Sequence, residues 1–219
     1  MPRSRRAAPA RQLQAIIFDI GRVIVRVEPG RALAKLAAAE NAQVRPKNRM
    51  SGDDLWQAIQ SDPLWQDWQE GRVTPAEWHQ NLCRRFGLRL AFAGFCEAWN
   101  STIPPRTLLP ESLFARLAKR CRLVLLSNTD PLHVAHMESS FGFMRHFAAR
   151  IYSCDAHASK PSRAIFLKAI RAAQAPKRRI LFVDDVAEYV AAAKRMGIQA
   201  LQFRNRALLE AELRRRGVL

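Results

Sequence analysis

The 219-residue sequence predicts an α/β fold, a doubly wound parallel sheet that carries an inserted α-helical domain. Three observations lead there. Short runs, apolar on both faces, recur along the chain in the manner of buried parallel strands. Stretches with apolar residues three and four apart separate the later runs, as crossover helices require. All five tryptophans, finally, fall in one long strand-free stretch between the first run and the second.

In chain order the runs are AIIFDI (15–20), LVLLSN (123–128), IYSC (151–154), ILFVDD (180–185) and ALQFR (200–204). SRAIFLKAIRAA (162–173) and EYVAAAKRMG (188–197) supply the crossover helices. Residues 27–106 contain RALAKLAAAE, DDLWQAIQ, PLWQDWQEG, TPAEWHQNLCRRFG and AFAGFCEAWN, each flanked by capping residues, and read as a helical cap domain. Thr74, Pro75 and Glu77 form the strongest start signal: a threonine N-cap, proline in the first turn and a glutamate that completes a capping box. Trp56, Trp65, Trp68, Trp78 and Trp99 are expected to build the small core of this insert, with one or two lining a pocket. Residues 13–26 and 107–219 make the core domain, and the basic residues 1–12 a disordered tail without the apolar segment of a secretory signal.

Composition narrows the function classes. No apolar run reaches the roughly 18 residues of a membrane span. Cys83, Cys96, Cys121 and Cys154 are dispersed with no CxxC pair, which argues against a zinc site or disulfide framework and fits a reducing cytoplasm. The net charge of +17 is mostly arginine scattered over the chain, so it suits attraction of anionic substrates better than specific nucleic-acid recognition. Oligomeric state is not legible.

In open α/β sheets ligands bind beyond the carboxyl ends of the strands. Asp19 ends the first run, Ser127 and Asn128 the second, Asp184 and Asp185 the fourth, and Lys160 follows the third just before a helix. Each type has a task in phosphoryl transfer. The Asp19 carboxylate can attack phosphorus and carry the phosphoryl group. Mg²⁺ held by Asp19 and the Asp184/Asp185 pair would screen two anions from each other. Ser127, Asn128 and Lys160 are the candidate phosphate-binding residues.

FDIGRVIV, LLSNT, SKPSRAIF and FVDDVAEYVAAAKRMG resemble the four motifs of the haloacid dehalogenase superfamily of phosphatases, in its version with a helical cap after the first motif. The resemblance covers nearly the whole chain after the tail. It implies a Rossmann-like sheet, Asp19 as nucleophile, Ser127 and Lys160 on phosphate, and Mg²⁺ bound by Asp19, the Gly21 carbonyl, Asp185 directly and Asp184 through water. Two positions depart from the pattern. The usual second aspartate of the first motif, a general acid and base, is Gly21, and Tyr189 stands where asparagine is frequent. The FDxGxV form resembles a subgroup that includes sugar-1-phosphate phosphatases. The expected function is hydrolysis of a small phosphorylated metabolite, such as a sugar phosphate, through an aspartyl phosphate. The alternatives are an impaired binder of phosphorylated ligands, motivated by Gly21, and a dehalogenase, which would have no need of the acidic pair. Among replacements for the missing acid, Arg22 stays protonated and cannot shuttle protons, and His157 reads as an ordinary loop residue.

Overall fold

A computed structural model describes residues 13–38 and 52–219; the expected tail at 1–12 and the end of the helix expected over 31–40 lie outside the described residues. β1 (Ala15–Phe18), β2 (Arg122–Ser127), β3 (Ala149–Tyr152), β4 (Ile180–Asp184) and β5 (Gln199–Gln202) form one parallel sheet in the order β3-β2-β1-β4-β5. Phe18 is opposite Leu125 on one side and Val183 on the other, so the carboxyl ends of the three inner strands come level. That alignment brings their terminal polar residues onto one edge.

Period-two alternation builds both faces of the sheet. Ile16 and Phe18 join Leu123, Leu125, Leu181 and Val183 in one apolar cluster; Ala15 and Ile17 join Val124, Leu126, Ile180 and Phe182 in the other. α6 (Glu111–Ala118), α7 (Pro131–Ser140) and α11 (Arg206–Arg215) contribute to the first; α9 (Arg163–Ala173) and α10 (Ala187–Arg195) cover the second. The expectation that all five strands are apolar on both faces holds for β1, β2 and β4 only. β3 exposes Arg150 and β5 is half-buried throughout, because each has a neighbour on one side alone. Arg150 meets Glu138 at 3.2 Å and the Met144 carbonyl at 2.9 Å, a charged border suited to an edge strand.

α1 (Pro29–Ala38), α2 (Gly52–Gln60), α3 (Trp65–Gln69), α4 (Pro75–Phe86) and α5 (Phe92–Asn100) lie between β1 and β2. They pack around their own cluster, in which Leu36, Leu55, Ile59 and Leu82 surround Trp68, Trp78 and Trp99. The capping box at the start of α4 is present: the Thr74 N–H donates to Glu77 Oε2 at 2.8 Å, and the Glu77 N–H to Thr74 Oγ1 at 3.3 Å. Trp68 and Trp78 stack at 5.6 Å with a 9° interplanar angle, and both are fully buried. Trp78→Ala should therefore lower stability by about 3–5 kcal/mol, since an aromatic-sized cavity cannot collapse in so small a core; equilibrium denaturation measures it.

The insert docks on the sheet domain through backbone as well as side chains. A Cβ on Gly71, which follows α3 and has φ of +67°, would lie 2.2 Å from the Cys154 carbonyl oxygen of α8 (Ser153–Ala156). Only glycine permits that approach.

Candidate active site

The Asp19 N–H donates to the Val183 carbonyl at 2.9 Å, which continues strand geometry one residue past β1 and holds the side chain beside that of Asp184. Lys160, on the loop between α8 and α9, places Nζ 2.6 Å from Asp19 Oδ1 and 2.6 Å from Asp184 Oδ2. Asp19, Asp184, Lys160 and Ser127 are all buried. Asp185 is half-buried, and one carboxylate oxygen from each of Asp19, Asp184 and Asp185 lies within 4.8 Å of the others. Asp184 Oδ1 also accepts from the Val186 N–H at 2.8 Å, which orients that carboxylate.

Burial pushes the Asp19 carboxyl up to about 7; Asp184 and Asp185 add to the rise and Lys160 opposes it. Burial also raises Asp185, helped by Asp184 and opposed by Arg22 and Lys160. For Lys160 burial pulls downward, but the two carboxylates together hold its ammonium above the usual lysine range. The Lys160 Nζ further lies 5.0 Å from the Tyr189 ring centroid and 5.7 Å from that of Phe182. Where asparagine is frequent, this chain thus presents an aromatic face to the lysine, a cation–π arrangement.

The loop that carries Lys160 is clamped from two sides. The Asn128 side chain donates to the Lys160 carbonyl at 2.9 Å and accepts from the Lys160 N–H at 2.7 Å. Both ends of that amide thus help to position the loop, and Asn128 lines the cavity beside it. From the insert, Glu70 Oε1 accepts the Ser159 N–H at 3.1 Å, while Arg72 binds the other oxygen at 2.7 Å. His157 Nδ1 pairs with the Glu70 carbonyl at 2.8 Å, so that histidine belongs to the docking contact and not to the carboxylates. Ser153 completes the contact, donating to the Gln69 carbonyl at 2.7 Å and accepting the Thr129 N–H at 2.8 Å.

Two adjoining cavities open at this edge. One, of about 160 Å³, is lined by Asp19, Gly21, Arg22, Ser127, Lys160, Asp184, Asp185 and Tyr189. The other, of about 250 Å³, shares Gly21, Arg22, Val27, Ser127 and Asn128 with it and extends beneath Trp56, Trp65 and Trp99, with Gln60, Gln69, Thr102, Asp130 and His133 among its polar walls. Three tryptophans line it, one more than the upper expectation, and Trp68 and Trp78 remain pure core. A Cβ at Gly21 would meet Val27 Cγ2 at 3.3 Å, so the absence of a side chain there reflects no gross lack of room.

The sequence reading missed Glu70, Asp130 and His133. Asp130 followed by Pro131 is a helix-start signature, and the structure uses it so: Asp130 Oδ1 accepts the His133 N–H at 3.0 Å. No local signal marks Glu70, whose partner Ser159 lies far along the chain.

Known proteins resemble this chain in sequence and in fold. The sequence model of the haloacid dehalogenase-like hydrolases matches residues 13–197. A D-ribitol-5-phosphate phosphatase from Bacteroides thetaiotaomicron is 24% identical over 210 residues, covering 92% of this chain and 97% of the relative. Among solved structures, a haloacid dehalogenase family enzyme from the same organism, in complex with magnesium and inorganic phosphate, superposes with a TM-score of 0.72 at 19% identity, over 88% of this chain and 95% of the other. A predicted hydrolase of that family from Porphyromonas gingivalis gives 0.74 at 23% identity, over 93% and 97%. Fold, order of motifs and the extent of the match agree, and the chain belongs to the haloacid dehalogenase-like hydrolase family.

Proposed function

We propose that the protein is a magnesium-dependent phosphomonoesterase that transfers the phosphoryl group of a small polyhydroxylated substrate to Asp19 and then to water. The observation that carries this reading is the buried Lys160 ammonium set 2.6 Å from both Asp19 and Asp184, with Asp185 completing a triad of oxygen donors. An all-carboxylate set fits a hard divalent cation. Bound there by Asp19, Asp184, Asp185 and the Gly21 carbonyl, magnesium supplies the positive charge that lets a phosphate dianion approach a carboxylate.

The chain's own residues do the rest. The Asp19 carboxylate attacks phosphorus as the ester P–O bond breaks. Lys160 balances the transferred charge, and the Ser127 hydroxyl and the backbone N–H groups after β2 bind phosphoryl oxygens. Asn128 and Glu70 keep the lysine loop in place. The helical insert, read as a cap over 27–106, supplies the wall of the leaving-group cavity. Tryptophan faces suit the C–H faces of a polyol, and Gln60 and Gln69 suit its hydroxyls. The phosphatase relative supports this substrate class. A panel of polyol, sugar, nucleotide and aryl phosphates, each with and without Mg²⁺, tests the proposal; turnover of haloacids, or of no phosphate ester, overturns it.

Asp19 must be ionised both to attack and to hold a cation. With its carboxyl near 7, kcat/KM should fall as the pH drops through that region. A bound cation favours the carboxylate, so raising Mg²⁺ should move this acid limb to lower pH. pH profiles at two magnesium concentrations measure the displacement, and a limb that ignores magnesium contradicts the assignment.

Gly21 gives a further expectation. General acid catalysis commonly contributes about 10² to 10⁴ in rate, most when the leaving oxygen is basic. Aryl or anomeric phosphates should therefore react faster than alkyl phosphates of equal size, and Gly21→Asp should narrow the gap once Val27 yields by a few tenths of an ångström. The slope of phosphorylation rate against leaving-group pKa is the readout. A flat slope in the wild-type protein means that another group delivers the proton.

A further inference from the structure

His133, in the first turn of α7, bridges the sheet domain and the insert. Its Nδ1 lies 2.8 Å from Asp130 Oδ2, and its Nε2 lies 3.1 Å from the Trp99 carbonyl oxygen on α5. Both partners are acceptors without a hydrogen of their own, so both ring nitrogens must donate, and the ring that fits this site is the imidazolium. The Trp99 indole stacks on it at 5.7 Å with a 16° interplanar angle, and the indole N–H donates back to Asp130 Oδ2 at 3.1 Å. Imidazolium, carboxylate and tryptophan therefore form a closed ring of contacts, two of whose links cross from sheet domain to insert.

We propose that His133 is a positioning residue, a proton-linked clasp that holds Trp99 and the insert over the substrate cavity. A neutral imidazole has one N–H. Asp130 retains it at Nδ1, and the Nε2 lone pair is left facing the lone pairs of the Trp99 carbonyl. Loss of the proton thus replaces an attraction at the domain crossing with a repulsion. Since Trp99, Asp130 and His133 all line the 250 Å³ cavity, the consequence falls on substrate binding. Neither ring nitrogen is free to reach a substrate, which distinguishes this role from that of a catalytic acid.

The surrounding groups set the sign. Burial disfavours the charge, but Asp130 and the Trp99 carbonyl hold His133 above its ordinary range, and His133 in turn holds Asp130 below the usual carboxylate range. From α8, Cys154 senses the Asp130 charge; its thiol is pushed up to about 12, chiefly by burial, and does not titrate nearby. The Arg22 guanidinium lines the same cavity. His136, one turn along α7, engages the Ile103 carbonyl at 3.1 Å. A group whose pKa is raised in the folded state contributes below it and is lost as pH rises through it. The clasp is therefore made below the raised His133 pKa and released on the alkaline side of the ordinary histidine range.

The test begins without metal or substrate. Indole emission, quenched by a stacked imidazolium, should rise in one transition as the wild-type protein is titrated upward from pH 6. Asp130→Asn keeps the cap acceptor for the His133 N–H but removes the negative charge, and should move the midpoint down by about one pH unit or more. His133→Gln should abolish the transition; should that variant fail to fold, wild type against Asp130→Asn still decides. The kinetic arm rests on the phosphatase reading: KM for the best phosphate ester should rise about fivefold or more through the same midpoint, with kcat changing less, and should be high and independent of pH in His133→Gln. A transition that persists in His133→Gln, a midpoint unmoved in Asp130→Asn, or a KM flat across the transition overturns the proposal. If no phosphate ester turns over, the proposed function fails, and the fluorescence arm still decides whether the clasp exists.

Discussion

Asp19→Asn is expected to lower phosphatase turnover by on the order of 10⁴ to 10⁶, the scale on which removal of a covalent nucleophile acts in hydrolases. The substitution conserves shape and leaves an amide oxygen for Lys160 to contact, so the sheet edge should survive. The buried carboxyl is raised to about 7 because desolvation disfavours its charge. A neutral amide escapes that cost, and the variant without magnesium should be at least as stable as wild type at pH 8. Single-turnover assays with thermal melts measure both effects. Turnover within about tenfold of wild type would exclude covalent transfer through this residue.

Lys160→Met should damage stability and activity together. The lysine is the ammonium between two buried carboxylates, 2.6 Å from each, and its removal leaves them facing one another. Breaking a buried charge network at one member typically costs about 3–5 kcal/mol, and loss of a charge aimed at the transferred phosphoryl group costs on the order of 10² to 10³ in rate. Magnesium offers a test that separates the two roles. A divalent cation held by Asp19, Asp184 and Asp185 can take over part of the screening, so it should raise the melting temperature of Lys160→Met more than that of wild type. No shift in either protein would show that the triad does not hold the cation, and equal shifts would show that the cation does not take over the lysine's screening. Exhaustive chelation of the wild-type enzyme should likewise silence it, and restored magnesium should revive it.

The positions of the strands and of the site residues were legible for the same reason. A parallel strand buried on both faces leaves a short apolar run, and the polar residue ending it must sit at the carboxyl edge. Asp19, Ser127, Asp184 and the loop around Lys160 therefore fall on one edge by sequence position alone. The edges of the sheet were less legible, because β3 and β5 are short and mix polar residues such as Arg150, Gln199 and Gln202 with apolar ones, so no continuous buried run marks their limits. α6, α7 and α11 leave little local signal for a related reason: their apolar faces are short, and tertiary packing supplies most of the stability of such helices.

What the sequence by itself determined, then, is what depends on near neighbours: strand and helix periods, the Thr74 capping box, the family motifs and the absence of a carboxylate at Gly21. The tertiary structure alone decided which distant groups meet. Asn128 clamps the backbone of Lys160, Glu70 reaches Ser159, Trp99 completes a ring with Asp130 and His133, and Tyr189 turns its face to the lysine. Such contacts join residues separated by 29 to 89 positions and carry no periodic trace, because a side chain's partner is set by where the chain returns in space. Chemistry at the sheet edge is thus written locally, while the fit of the insert over it arises only when two separately built cores are pressed together.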